Sequence, residues 1–365
     1  MRSFGLWYKN VNVVEDTKKN ENSHKSIDTE KVKNIFDIHI NFWSESVKKD
    51  SKVPNLDVGI KIKNFKTIEK LIFHCPFIIK KDELVDLASK LQDKKNADLI
   101  FNTDGEITTK ELFYLYSFKK KEKEEEKLLL FCLTQNLAEI CLSNSKDNKT
   151  DIIFNFSRFN TYIKKRDVFN DINDMYIRFR ITSNELENNI YFDSELSNKS
   201  FDSAFSGTRI FDFKINEKRN LGTDTITNIS VGDYVFPQID KIHLLVMERA
   251  SYEVQSFTNV PMTCRELEGK LWNEYFGSSI ESSKNRILAY HWKFEKECSC
   301  LIKVKYSKTN LIILMVYMLM LLALGMLSST IVAFIQNKCN NGLLYIAIVC
   351  ITFIISGLYV GRKKH

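Results

Sequence analysis

The chain has 365 residues with 53 Lys and Arg against 46 Asp and Glu, a formal charge of +7. Five of the basic residues (Lys308, Lys338, Arg362, Lys363 and Lys364) lie in a C-terminal stretch without acids, which leaves residues 1–307 nearly balanced at 48 basic against 46 acidic. That balance argues against a nucleic-acid-binding surface, which needs a clear basic excess, and 26 Phe with 14 Tyr argue against a disordered chain.

In chain order, residues 17–31 (TKKNENSHKSIDTEK) are polar without periodicity and read as a loop. Phe36, Ile38, Ile40 and Phe42 then alternate with polar residues, as do Leu56, Val58, Ile60 and Ile62, and both patterns predict half-buried antiparallel strands. Another strand is predicted from Lys70 to Cys75, ended by Pro76, and a helix over Lys81 to Gln92 from the spacing of Leu84, Leu87, Ala88 and Leu91. Strands are expected again at 97–102, 112–118 and 128–134, the last two flanking a solvated charge run, Lys119 to Lys127. Further strands are expected at 151–158, 175–182, 189–193, 209–215, 241–249, 285–294 and 300–306, with a second helix over Cys264 to Phe276. The fold class is therefore α+β, with a β-rich antiparallel region ahead of the C-terminal segment. A polar stretch, Leu196 to Gly207, gives the best interior break, so the chain divides into 1–195, then 208–307 as a second domain or a continuation of the first, then 311–360.

Chemistry is hard to find along this chain. No phosphate-cradling loop, nucleophile elbow or H-E-x-x-H pattern occurs, and 12 glycines give such loops little material. His39, His74, His243 and His291 fall singly in predicted strands, where a hydrogen-bonded structural role is expected. His74 and Cys75 are adjacent on a strand and point to opposite faces, so they cannot form a dyad. Cys298 and Cys300 make half a zinc site at best, and the residues call for no metal, no cofactor and no catalytic role. One strand has a face that could hold a small anion: Tyr176, Arg178 and Arg180 put two guanidiniums beside an aromatic ring. The alternative for the same residues is a solvated sheet face with Arg stems covering apolar surface.

The C-terminal 55 residues carry the strongest signal. Leu311 to Ile335 and Gly342 to Val360 are apolar runs without a charge, separated by Gln336 to Asn341. At about 1.5 Å per helical residue they reach roughly 37 and 28 Å, close to the roughly 30 Å of a bilayer core, and so predict a two-helix transmembrane hairpin. Lys303, Lys305 and Lys308 before it and Arg362, Lys363 and Lys364 after it, against Lys338 in the turn, place both termini in the cytoplasm. The N-terminus has no apolar core of signal-peptide length, and the N-x-S/T sequences at Asn148, Asn155, Asn198 and Asn228 are then not glycosylation sites. Gly325, Ser329 and Ala333 on the first span, and Gly357 and Gly361 at the end of the second, recur every four residues, a spacing that lets helices approach closely. Ser328, Ser329, Thr330, Thr352 and Ser356 supply hydroxyls at membrane depth, either for packing within one hairpin or for a pore that several hairpins would enclose.

In this arrangement the chain resembles the two-transmembrane effectors of bacterial antiphage and abortive-infection systems. The resemblance covers the hairpin, its topology and the short connection to the preceding region. It implies a homo-oligomeric protein of the bacterial inner membrane, whose cytoplasmic region senses a signal and whose hairpin permeabilises or depolarises the bilayer. A membrane tether or scaffold for a cytoplasmic protein partner is the rival expectation.

Overall fold

The computed structural model describes residues 3–11, 34–44, 47, 53–119, 125–145, 147–166, 169, 171–194, 205–267, 269–276, 286–307, 311–337, 347, 348, 350–352, 354 and 355. Among these the strands are, in order, β1 (Gly5–Asn10), β2 (Ile35–Trp43), β3 (Asn55–Lys63), β4 (Ile68–Cys75), β5 (Leu84–Asp86), β6 (Gly105–Thr109), β7 (Phe113–Lys119), β8 (Glu125–Phe131) and β9 (Ile140–Asn144). They continue as β10 (Thr150–Asn155), β11 (Asp174–Thr182), β12 (Tyr191–Asp193), β13 (Ser206–Ile215), β14 (Gln238–Arg249), β15 (Glu253–Ser256), β16 (Met262–Leu267), β17 (Ile287–Phe294) and β18 (Cys298–Ser307). The α-helices are α1 (Ala88–Leu91), α2 (Lys94–Phe101), α3 (Ser157–Lys164), α4 (Glu185–Asn189), α5 (Lys218–Leu221), α6 (Thr223–Val231), α7 (Gly269–Phe276) and α8 (Leu311–Asn337).

A ten-stranded sheet runs in the order β16-β17-β14-β2-β3-β11-β8-β7-β6, with β5 also paired to β11. Most of its pairs are antiparallel, but β14 lies parallel to β2 and β11 parallel to β8. Alternation along β2 and β3 sends Phe36, Ile38, Ile40, Leu56, Val58, Ile60 and Ile62 into the main core, where each is fully buried. Two four-stranded sheets, β1-β4-β10-β9 and β12-β13-β18-β15, complete the β structure. Phe4, Phe73, Phe77 and Phe213 belong to the same core and meet in one aromatic knot, with Phe4 stacked on Phe213 at 5.1 Å and edge-on to Phe77 at 5.8 Å. On the opposite face of the long sheet a second core gathers Trp43, Leu91, Tyr116, Leu130, Tyr176, Trp272 and Tyr275. A small third cluster packs Trp7 and Ile72 against Leu221 of α5 and Ile229 of α6.

The chain forms two compact units, Met1–Phe192 with Arg209–Val304, and Asp193–Thr208 with Lys305–His365. Strands from both sides of the proposed break share one sheet, because β14 pairs along the whole length of β2. Residues 209–304 therefore continue the body begun at the N-terminus. In the second unit, Ser194 N donates to Thr208 O at 2.8 Å and Tyr306 Oη to Asp193 Oδ1 at 3.3 Å. Residues 195–204 lie outside the described residues.

Several local expectations change. The helix predicted over 81–92 breaks into a short 3₁₀ turn, strand β5 and the single turn α1, because Leu84–Asp86 finds a sheet partner in β11. The strand predicted at 97–102 is helix α2, capped by Asp93, whose carboxylate accepts from Lys95 N and Asn96 N. The helix predicted over 264–276 forms only from Gly269, since Met262–Leu267 is edge strand β16 paired to β17. In each case pairing with a distant strand, or a cap, overrides local apolar spacing. The loop at 17–31 and the middle of the charge run, 120–124, lie outside the described residues.

Among the described residues one helix, α8, is long and apolar enough to cross a membrane; the qualifying window is Leu314–Ile331, and little of it is buried. Leu311, Ile312, Met315, Leu321 and Leu322 are among its exposed side chains. Most of the predicted second span, with Ser356, Gly357 and Gly361, lies outside the described residues, as does Cys339 of the turn.

Candidate functional site: a polar seam across the long sheet

The side chains that could carry chemistry meet on one face of the ten-stranded sheet. β3 brings Asp57 and Gly59, β11 brings Tyr176, Arg178 and Arg180, β2 brings His39 and Asn41, β14 brings His243 and β17 brings His291. In register, Asp57 faces Arg180, Gly59 faces both Arg178 and His39, and His39 faces His243. The period-2 rule thus lines them up, although they come from opposite ends of the chain.

Asp57 is fully buried and accepts four hydrogen bonds: from Arg180 Nε (2.6 Å, to Oδ1) and Nη2 (3.0 Å), Trp43 Nε1 (3.1 Å) and the Tyr275 hydroxyl (2.9 Å). Burial alone would raise its pKa, but Arg180, with help from Arg178 and Tyr275, pulls the carboxyl below its ordinary value. Arg178 is 1% exposed and donates from Nε to Tyr275 Oη and from Nη1 to Tyr176 Oη, both at 2.7 Å. With the Asn41 amide turned so that its nitrogen meets Ile40 O (3.1 Å), the Asn41 oxygen accepts from Arg178 Nη2 at 2.8 Å. The cluster holds two guanidiniums and one carboxylate, so Arg178 keeps its charge against phenol and amide dipoles. Burial pushes both phenols upward, which keeps them protonated. α7 closes the cluster from above: Phe276 lies 4.3 Å from the Arg180 guanidinium and 4.4 Å from the Trp43 ring.

From here the seam runs outward. Tyr176 Oη, which accepts from Arg178 Nη1, lies 3.2 Å from His39 Nδ1, within hydrogen-bond reach. The His39 ring stands edge-on to His243 at 5.3 Å, and His243 Nδ1 meets His291 Nε2 at 3.0 Å with the rings nearly parallel. All three imidazoles are partly exposed. Gly59 makes the passage possible: a Cβ there would overlap the Tyr176 hydroxyl and come within 3.0 Å of Arg178 Nη1.

The structure therefore places Tyr176, Arg178 and Arg180 together, as the strand pattern requires, but under α7 with their polar atoms bonded internally. A solvated sheet face is ruled out by burial, with Arg180 only 7% exposed. Asp57 and Tyr275 were not singled out by sequence reasoning. The available signal was the unusual pairing of ionisable alternation on both Asp57-Gly59-Lys61 and Arg178-Arg180, which requires opposite charges when the two strands are neighbours.

The remaining candidates are separate. His74 Nδ1 lies 2.6 Å from Asp151 Oδ1 with Trp7 beside it at 5.4 Å, while burial pushes the Cys75 thiol well up. Cys298 and Cys300 are buried free thiols, Cys300 pushed up to about 12 by burial, so neither is a ready thiolate. Among the described residues no group of three or more His, Cys, Asp and Glu side chains converges to hold a metal ion. On α8, Gly325, Ser329, Thr330 and Ala333 line a groove of about 810 Å³ with Met318, Leu321, Leu322 and Met326. Ser328 and Ser329 are exposed, whereas Thr330 Oγ1 donates to its own helix at Met326 O (2.6 Å) and Thr352 Oγ1 to Ile348 O (3.0 Å).

No protein-family model matches the chain, and no curated protein matches it. Among solved structures it is similar to the Fcho1 Mu homology domain of Danio rerio with bound Eps15 peptide, at 8% identity over 75% of this chain and 78% of that one, with a TM-score of 0.15. A likeness that slight carries no argument about fold or function.

Proposed function

We propose that the protein is a membrane-anchored sensor and effector: the β body receives a signal in the cytoplasm, and the C-terminal apolar segment, a two-helix hairpin in a bacterial inner membrane with both termini cytoplasmic, self-associates and depolarises the bilayer. The observation that carries this reading is the junction. β18 ends at Ser307 and α8 begins at Leu311, so three residues, about 10 Å of chain, link a sheet strand to the apolar helix. A rearrangement of that strand has little slack in which to dissipate. The groove bearing Gly325, Ser329 and Ala333 supports helix association, since small side chains permit close backbone approach in lipid. The test is membrane potential in bacteria expressing the full chain, followed with a voltage-sensitive dye. Ser328→Leu with Ser329→Leu should preserve insertion and abolish depolarisation; unchanged depolarisation would refute the pore role of that face.

A second reading, a tether for a cytoplasmic protein, is favoured by a different feature. β16 closes one end of the long sheet, and its first five residues, Met262 to Glu266, are exposed. Among the described residues no strand pairs with its outer edge, which offers backbone donors and acceptors to a partner strand. Full activity after replacing residues 311–360 by an unrelated two-helix anchor, with a stoichiometric partner co-purifying, would select the tether.

A further inference from the structure

We propose that His39, His243 and His291 form a proton-operated latch across the β2–β14–β17 seam, closed while the His243–His291 pair shares its hydrogen bond and opened when both of those rings take up a proton. The geometry excludes a doubly charged pair. At 3.0 Å the His243 Nδ1 to His291 Nε2 contact holds one proton between two nitrogens. A first added proton goes to an outer ring nitrogen and keeps that bond; a second puts a proton on both facing nitrogens and replaces the bond by a repulsion. His39 Nδ1 sits against the Tyr176 hydroxyl, which already accepts from the Arg178 guanidinium, so charging His39 brings a second cation onto the same phenol oxygen.

The surroundings reinforce this from every neighbouring strand. Arg178 and Tyr176 on β11 and Lys61 on β3 face His39; Lys241 on β14, Lys293 on β17 and Arg265 on β16 face the other two. Asp37 on β2 is the acidic group that acts on the row, and it favours only the charged form of His243. Two of the cations are partly offset, Lys61 by Asp174 at 3.0 Å and Lys241 by Asp240 at 3.3 Å. Burial and these cations together hold all three imidazoles below their ordinary value.

The position gives the latch a consequence. β2 and β14 form the longest strand pairing between the residues before 192 and those after 209, beside the shorter links of Phe4 to Ile215 and Tyr8 to Val235, and His39 opposes His243 in the middle of it. Opening it frees the edge of the β14–β17–β16 group. The latch stands whether or not the apolar segment permeabilises a bilayer, so depolarisation results do not decide it.

The test uses the full chain in detergent micelles. Histidines labelled with ¹⁵N in the ring are titrated by NMR from pH 8 to 4, with assignment by His39→Gln, His243→Gln and His291→Gln. Backbone amide exchange, corrected for intrinsic pH dependence, is compared at pH 7.5 and 5.0. We expect titration midpoints below 6 for His243 and His291, and no titration of His39 down to pH 4. We also expect at least a tenfold rise in exchange at 35–43 and 238–249 relative to 105–119, falling below threefold in the His243→Gln, His291→Gln double variant, whose amides can bond without titrating. Midpoints of 6.5 or above in the folded wild-type chain, exchange that does not rise, or an equal rise in the double variant would each overturn the proposal. Should the double variant fail to fold, the wild-type midpoints alone decide.

Discussion

Removing the charge of Asp57 gives the sharpest test of the buried cluster. Asp57→Asn keeps the shape but leaves Arg178 and Arg180 without a buried counter-charge, and it turns an amide N–H₂ toward donors from Arg180, Trp43 or Tyr275. Breaking one partner of a buried ion pair costs about 3–5 kcal/mol. For a body of this size about 2 °C of melting temperature accompanies each kcal/mol, so a fall of about 6–10 °C is expected. The assay is thermal unfolding of the full chain in detergent by tryptophan fluorescence, to which Trp43 contributes directly because its Nε1 donates to Asp57. Arg180→Met alone strands the carboxylate and should cost a similar amount. The Asp57→Asn, Arg180→Met double variant removes this pair of charges, and although Arg178 still lacks its counter-charge, the loss should fall at least about 1 kcal/mol short of the sum of the single losses. A loss below about 1 kcal/mol for Asp57→Asn, or strictly additive losses in the cycle, would refute the view that this pair is a coupled buried unit.

Other outcomes follow from the same geometry. Because the folded-state pKa of His39 is pushed down to about 3, its contribution is complete above the unfolded value of 6.5 and is lost as pH falls through it; between pH 7.5 and 5.0 that amounts to about 2 kcal/mol, measurable as a pH-dependent denaturant midpoint. Asp57, shifted downward, keeps its contribution throughout that window and loses it only as pH falls below its ordinary 3.8, so the two can be separated by titrating Asp57→Asn in parallel. Gly59→Ala should destabilise by about 1–3 kcal/mol by displacing the Tyr176 hydroxyl, measured as a fall in the denaturant midpoint. Exposed Cys141 and Cys264 should react with a maleimide in the native state while buried Cys75, Cys298 and Cys300 stay protected, as read by mass spectrometry; with an impermeant reagent on oriented vesicles, the same two thiols report which side of the membrane the β body occupies.

The alternation of Phe36 to Phe42 and of Leu56 to Ile62 was legible because one face of each strand is sealed in the core and the other is polar, which is the pattern period-2 reading detects. The same method missed β1, where Trp7 and Tyr8 are both buried because helices and sheet cover opposite faces. It also misjudged β11. Tyr176, Arg178 and Arg180 look like a solvated face by composition, but seven consecutive residues of that strand, Met175 to Ile181, are buried, and the charges are met by Asp57 from 123 positions earlier and by Tyr275 on α7. The His39–His243–His291 row was invisible for the same reason: single histidines in three separate strands carry no local sign that the strands are neighbours. The apolar character of 311–335 was legible without any tertiary information, because it depends on length and composition alone.

The parallel pairing of β2 with β14 also constrains biosynthesis. Residues roughly 200 positions apart must meet along the whole strand. Until the ribosome has delivered β14, β2 presents a long, bare edge flanked by apolar side chains, a template for mispairing with another nascent chain. Completion then falls late, since β17 and β18 are translated immediately before the apolar helix. The interval in which the sheet zips shut thus overlaps the interval in which the exposed apolar side chains of α8 emerge. Slow, non-local closure coincides with the appearance of a long apolar surface, which makes yield on overexpression sensitive to chaperone supply and temperature well before any difference in final stability is felt.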